Sequence, residues 1–188
     1  KVMPVILLVG VLAWGVCLQR WAFFQLSPAR LSQAIYGTNP LVEAIAVARY
    51  VREHSAKDSR IAVIGSEPEI YFDAQRHSAT GFIYTYPLME NQPYAAAMQH
   101  QMMGEIEAAK PAYIIMVANR YSWLLKDSSD TEILEWAQKY LAGHYERVGI
   151  VDDTPGKPGV ELWGAEAKNY HGSLSQFLDV YQRKPPAN

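Results

Sequence analysis

The run from Val2 to Leu18, VMPVILLVGVLAWGVCL, contains no charged residue. Coiled as a helix it nearly fills the hydrocarbon layer of a bilayer, for which roughly 17 to 25 residues are needed. Gln19 and Arg20 follow, then Trp21, Phe23 and Phe24, the snorkelling cation and aromatic rings that belong where a helix leaves the membrane. The pattern predicts a transmembrane helix. A cleaved signal peptide has a shorter apolar core and needs a small-x-small cleavage site, which is missing after Cys17. A buried core helix is the other alternative. Lys1 is not a start methionine, so the chain is expected to be the tail of a longer one.

Beyond that run the chain reads as one ordinary globular domain. It has 188 residues, 49% apolar, with 17 Lys and Arg against 19 Asp and Glu. Lys1 and Arg20 are the only charges in the first twenty residues, so the remainder holds fifteen cations against nineteen anions. A mildly acidic surface gives phosphate backbones nothing to grip, and nucleic acid is excluded as a partner. Charge bias is too small to fix the sidedness of the helix. The single cysteine, Cys17, has no partner for a disulfide.

Organisation follows from punctuation and periodicity. Residues 1–26 form the membrane helix and its interfacial exit, 27–39 a polar connector, 40–167 the domain and 168–188 a tail. Asn39-Pro40 opens a helix to about Ser55, with Leu41, Ile45, Ala48 and Val51, or Val42, Ala46, Arg49 and Tyr50, on one stripe. IAVIG, residues 61–65, is a buried strand. A short helix near Glu67 to Ala74, a strand at Phe82 to Tyr84, a helix from Pro93 to Ala109 and a strand from Ala112 to Val117 come next. Ser129 with Glu132 suggests a capping box for a helix ending at Ala142. Strands at Tyr145 to Val151 and Val160 to Trp163 flank a Pro/Gly loop, and the tail is expected to hold a short helix opened by Ser173. Such alternation predicts a three-layer, Rossmann-like α/β fold with a mostly parallel sheet and an antiparallel hairpin at its edge.

The chemistry-bearing residues cluster at two strand ends. Gly65-Ser66-Glu67-Pro68-Glu69-Ile70-Tyr71 lies where an open α/β sheet binds ligands, and its carboxylates and tyrosine suit a cation or sugar hydroxyls. Ser66 and Glu69 equally form a capping box. Tyr84-Thr85-Tyr86-Pro87-Leu88 offers two tyrosines on one strand face, a shelf for a sugar ring or simply strand-loving residues. No phosphate loop, G-x-S-x-G elbow or zinc-binding histidine spacing is present, so neither a metal nor a cofactor is expected. Asp152-Asp153 precedes Thr-Pro-Gly and reads as a turn.

Taken in order, the terminal apolar helix, Ser27-Pro28, Tyr36-Gly37-Thr38-Asn39-Pro40 with Glu43, Ala48-Arg49-Tyr50-Val51-Arg52, the Gly65–Tyr71 segment, Arg76 and Tyr84–Leu88 resemble the C-terminal soluble region of bacterial GT-C-type glycosyltransferases. The likeness is to the protein O-mannosyltransferase and aminoarabinose-transferase families, and it covers roughly residues 1–120. The resemblance implies an inner-membrane enzyme that takes a sugar from a polyprenyl-phosphate carrier, with this part facing the periplasm. It also implies that the catalytic acid lies in an early extracytoplasmic loop, so no catalytic residue is carried onto this chain. Glu67, Glu69, Tyr71, Arg76, Tyr84 and Tyr86 are then candidates for contact with substrate or acceptor. The partners implied are the bilayer, the membrane-embedded remainder of the polypeptide, the lipid-linked sugar and its acceptor. The alternatives are a membrane-tethered binding or scaffold module without chemistry, and an independent α/β enzyme.

Overall fold

A computed structural model describes residues 2–37, 39–152, 154, 159–170 and 176–185. The chain divides into two units, residues 1–37 and 38–188.

In the first unit, α1 (Met3–Leu18) has sixteen residues, Pro4 in its opening turn and no buried side chain. It is apolar on all sides, and Trp14 is 67% exposed. At 1.5 Å per residue it measures about 24 Å against a hydrocarbon layer of about 30 Å. No helix among the described residues is long and apolar enough to cross a membrane. The helix stops at Gln19, and a π-helical turn, Trp21–Gln25, follows. α2 (Pro28–Tyr36) begins where Ser27 Oγ accepts the Arg30 N–H at 3.3 Å and ends at Gly37, whose φ of 63° suits glycine.

The second unit is a mixed α/β fold built on one six-stranded sheet. In chain order its elements are α3 (Leu41–Glu53), β1 (Arg60–Ile64), α4 (Glu69–Ala74), β2 (His77–Ser78), α5 (Tyr86–Met89), α6 (Ala95–Ala109), β3 (Tyr113–Ala118), α7 (Arg120–Trp123), α8 (Glu132–His144), β4 (Tyr145–Asp152), β5 (Glu161–Trp163), α9 (Ala165–Lys168) and β6 (Phe177–Arg183). The strand order is β2-β1-β3-β6-β4-β5. β2, β1 and β3 are parallel neighbours, and β4 runs in the same direction. β6 is inserted antiparallel between β3 and β4, and β4 with β5 makes the expected antiparallel edge hairpin.

Alternation along the strands feeds two cores. Ile61, Val63, Ile115, Val117, Leu178 and Val180 pack on one face against Ala44, Val47, Ala48 and Val51 of α3 and Ile70 of α4. Ala62, Ile64 and Ile114 pack on the other against Met102 and Ile106 of α6, Ile133 and Leu141 of α8, and Leu88 of α5. β1 and β3 are therefore apolar on both sides, as strands covered twice must be. Of the first expected stripe of α3, Ala48 and Val51 are fully buried but Ile45 is 48% exposed, and Ala44 and Val47 complete the buried face. Small Ala44 and Ala48 let that helix approach the sheet closely. At the antiparallel end Tyr50 stacks on Trp163 with ring centroids 4.2 Å apart. Trp163 lies over Gly149, where any Cβ would collide with its ring and meet Val180 at 3.1 Å.

Three expectations fail locally. Residues 82–84 form no strand; the chain pairs earlier, at His77 and Ser78, and then turns into α5. Ser129 makes no capping box, since its Oγ donates to the Met89 carbonyl at 2.6 Å and accepts from Lys126 N–H at 3.0 Å. In the tail Ser173 lies outside the described residues, but residues 177–183 are a central strand where a helix was expected.

Candidate functional site at the carboxyl ends of β1 and β3

β1 has β2 on one side and β3 on the other, so the connections that follow β1 and β3 diverge, the switch point at which open α/β sheets form their ligand crevice. Two short segments fill it, Gly65-Ser66-Glu67 after β1 and Asn119 to Ser122 after β3. Gly65 makes their approach possible, because a Cβ there would strike the Glu67 carboxylate and come within 2.8 Å of Ser122 Oγ and 2.7 Å of Val117.

A closed hydrogen-bond circuit holds the crevice. Ser66 N–H donates to Ser122 Oγ at 2.9 Å, and that hydroxyl donates to Glu67 Oε2 at 2.9 Å. Thr85 N–H donates to Ser66 Oγ at 3.0 Å, and Thr85 Oγ1 donates to the Ser122 carbonyl at 3.1 Å. Ser66 Oγ lies 2.9 Å from Thr85 Oγ1; with the Thr85 proton directed to a carbonyl, Ser66 is the donor of that pair. All three hydroxyl protons are thereby assigned, and Glu67, 4% exposed, is an acceptor at the end of the circuit. Neither hydroxyl proton is free: Ser66 donates to Thr85 Oγ1, and Ser122 donates to the buried carboxylate of Glu67. Asn119 Oδ1 accepts the Tyr121 N–H at 2.8 Å and starts α7.

Beside the circuit stand the groups that reach solvent. Tyr84 and Tyr86 pair with ring centroids 5.6 Å apart and planes at 58°, and Tyr84 is 46% exposed. They meet through the turn into α5, not along a strand. Burial raises the Tyr86 phenol above its ordinary range, and the charge of Glu67, then Tyr84 and Glu69, adds to the rise. Burial also raises Glu69; its own backbone N–H pulls it back and the charge of Asp73 pushes it up again. Further along the carboxyl edge, Glu43 is raised by burial and by the charge of Asp152. Asp152 Oδ1 accepts Thr154 N–H at 2.8 Å, the turn expected of it, while Asp153 lies outside the described residues.

Four of the six sequence candidates thus come together: Glu67, Glu69, Tyr84 and Tyr86. The other two are engaged elsewhere. Tyr71 is buried, and its hydroxyl accepts Val63 N–H at 2.8 Å, satisfying β1 where the two-residue β2 has already ended. Arg76 is buried beneath the end of α3. Its guanidinium donates to Ser55 Oγ at 2.9 Å and to the carbonyls of Arg52, Ser55, Ala74 and Gln75 at 2.8–3.1 Å. Sequence reasoning missed Thr85, Asn119 and Ser122, of which only Asn119, directly after an apolar strand, carried a local signal. Ser66 does not cap α4 as a capping box requires, since its hydroxyl is bound to Thr85. Among the described residues no three His, Cys, Asp or Glu side chains gather to hold a metal ion. Compared with known proteins, the chain matches no family model, no curated protein and no solved structure.

Proposed function

We propose that this chain is the extracytoplasmic domain of a bacterial membrane glycosyltransferase that draws its sugar from a polyprenyl-phosphate carrier, with the catalytic residues outside residues 1–188. The observation that carries the reading is the gathering of Glu69 with the Tyr84–Tyr86 pair, backed by the buried Glu67, at the carboxyl end of β1. Carboxylates accept hydroxyl protons and tyrosine faces stack on sugar rings, so the group suits a carbohydrate or glycosyl acceptor. The wholly apolar α1 supports the reading as well. In it, residues 1–26 are the membrane helix and its interfacial exit, Arg20 snorkels, Trp21 sits at the interface, and local thinning of the bilayer accommodates a short span. The three-layer, Rossmann-like domain then faces the periplasm, beside the membrane-embedded remainder of the enzyme.

The test is titration of the full chain, reconstituted in phospholipid vesicles, with methyl mannoside and methyl aminoarabinoside, reading tyrosine fluorescence. Saturable quenching that is lost in Tyr84→Ala and weakened in Glu69→Gln supports the proposal; no response to either glycoside removes it. A tethered binding module without chemistry is the second reading, favoured by the assigned protons of Ser66, Thr85 and Ser122. The native reading frame upstream of Lys1 separates the two, since only the transferase requires further membrane helices there.

A further inference from the structure

Among the described residues beyond Gly37, eight large apolar or aromatic side chains are exposed, and six of them fall in two short segments: Ile83, Tyr84, Tyr94, Tyr121, Leu124 and Leu125. Hydrogen bonds tie these segments side by side. Thr85 Oγ1 donates to the Ser122 carbonyl at 3.1 Å, and Ser129 Oγ donates to the Met89 carbonyl at 2.6 Å. Gln92 Nε2 donates back to the Pro87 carbonyl at 2.9 Å, and its Oε1 accepts the Tyr94 N–H at 3.0 Å. The six are thus gathered on neighbouring loops that follow β1 and β3.

Local folding keeps them outside the core. Ser122 is buried in the circuit, and Trp123 is buried with its indole N–H donating to the Val117 carbonyl at 2.7 Å. With those two turned inward, Tyr121 and Leu124 on either side are left 46% and 48% exposed. α7 ends at Leu124, whose φ of 48° is uncommon for a bulky side chain. Exposed apolar side chains that cluster mark an interaction surface, whereas scattered ones do not. Their neighbours identify the partner. Leu124 and Leu125 lie between Arg120 and Lys126, both exposed and neither in an ion pair among the described residues. Glu90 and Asp127 are the acids nearest in sequence. Protein interfaces are depleted in lysine, but tyrosines and long cationic side chains around a short aliphatic stretch suit the boundary between lipid headgroups and acyl chains.

We propose that this loop cluster docks on an anionic phospholipid surface. Leu124 and Leu125 reach the acyl boundary, the tyrosines lie at headgroup level, and Arg120 and Lys126 meet the lipid phosphates. The inference rests on the proposed function, in which the chain sits at a bilayer. It adds that the Tyr84–Tyr86 pair works among the headgroups, where a lipid-linked sugar is presented.

The experiment uses the full 188-residue chain in vesicles of phosphatidylethanolamine and phosphatidylglycerol. A nitroxide is attached at Leu125→Cys or, as control, at Ile45→Cys on α3, each in a Cys17→Ser background; a third sample carries it on Cys17 itself. Collisions with oxygen, which concentrates in lipid, and with a water-soluble nickel chelate locate each label. The label at position 125 is expected to favour oxygen and the one at position 45 the chelate. Arg120→Gln or Lys126→Gln is expected to lower the docked fraction relative to the undocked by about fivefold per cation. Equal chelate access at positions 125 and 45 overturns the proposal: with Cys17 in lipid the membrane reading stands without it, and with Cys17 in water both fall. Shielding of position 125 from both reagents means that a second copy covers the loops, which also overturns it. Should Leu125→Cys not fold, the same measurement at Tyr121→Cys decides.

Discussion

The two halves of the sheet treat their buried polar groups differently. In the parallel half, β2-β1-β3, the Ser66 and Thr85 hydroxyls pair, Thr85 donates to the Ser122 carbonyl, and Ser122 Oγ accepts the Ser66 N–H and donates to Glu67, which closes a circuit. In the antiparallel half, β6-β4-β5, Asp179 Oδ1 and Arg183 Nη1 are buried without hydrogen-bond partners. Buried polar groups stabilise a unique arrangement when satisfied and invite a ligand when not. One end of the sheet is therefore pinned and complete, while the other keeps an unmet electrostatic demand.

The largest test of this contrast asks whether the halves unfold together. Ile115 and Leu178 are both fully buried in the same core, one on each side of the junction, and truncating either to alanine is expected to lower stability by about 2–5 kcal/mol. Urea unfolding followed by hydrogen exchange should show both strands losing protection at once; Leu178→Ala that leaves β1 protected would divide the sheet into two cooperative units.

Next comes pH. The folded pKa of Asp179 is raised from 3.8 to about 6 by burial, which Arg147 and Tyr181 only partly offset. A raised acid contributes stability that is fully present below its unfolded pKa and is lost as pH rises through the folded one. A rise of that size is worth about 3 kcal/mol. Wild type is expected to lose stability between about pH 4 and pH 7, and Asp179→Asn to remove that loss; parallel curves for the two proteins would show Asp179 already compensated.

On the parallel side, Ser122→Ala removes the hydroxyl that accepts the Ser66 N–H and donates to Glu67 Oε2, and is expected to cost about 1–3 kcal/mol. A melting temperature unchanged from wild type would mean that the circuit is dispensable. The smallest effect belongs to Tyr84→Ala, an exposed site, with a stability change within about 0.5 kcal/mol; a larger loss in thermal denaturation would make the tyrosine pair a packing element, not a contact surface.

How much of this was legible depended on where each residue finds its partners. β1 and β3 read clearly, because strands covered on both faces are continuous apolar runs such as IAVI and YIIMV. β6 was hidden by Asp179, Gln182 and Arg183, which break the apolar run of a strand central in the sheet. The strand expected at Phe82 to Tyr84 failed because alternation there reflects a turn into α5, with Pro87 inside its first turn. In the crevice, Glu67, Glu69, Tyr84 and Tyr86 were found from local motifs. Thr85 and Ser122 were not, since the Ser66 hydroxyl that Thr85 meets and the Ser66 N–H that Ser122 accepts stand 19 and 56 residues away along the chain, and no local pattern encodes that. Arg76 and Tyr71 looked like site residues because type alone does not show that α3 and β1 leave carbonyls and an N–H for them to satisfy.

The insertion of β6 also sets an order of events during synthesis. Residues 177–183 pair with β3 on one side and β4 on the other, so a nascent chain lacking them carries two unpaired strand edges at the centre of its sheet. Such edges are templates for pairing with other chains. On the ribosome the parallel half is free to assemble early, but joining it to β4 and β5 waits until β6 has emerged.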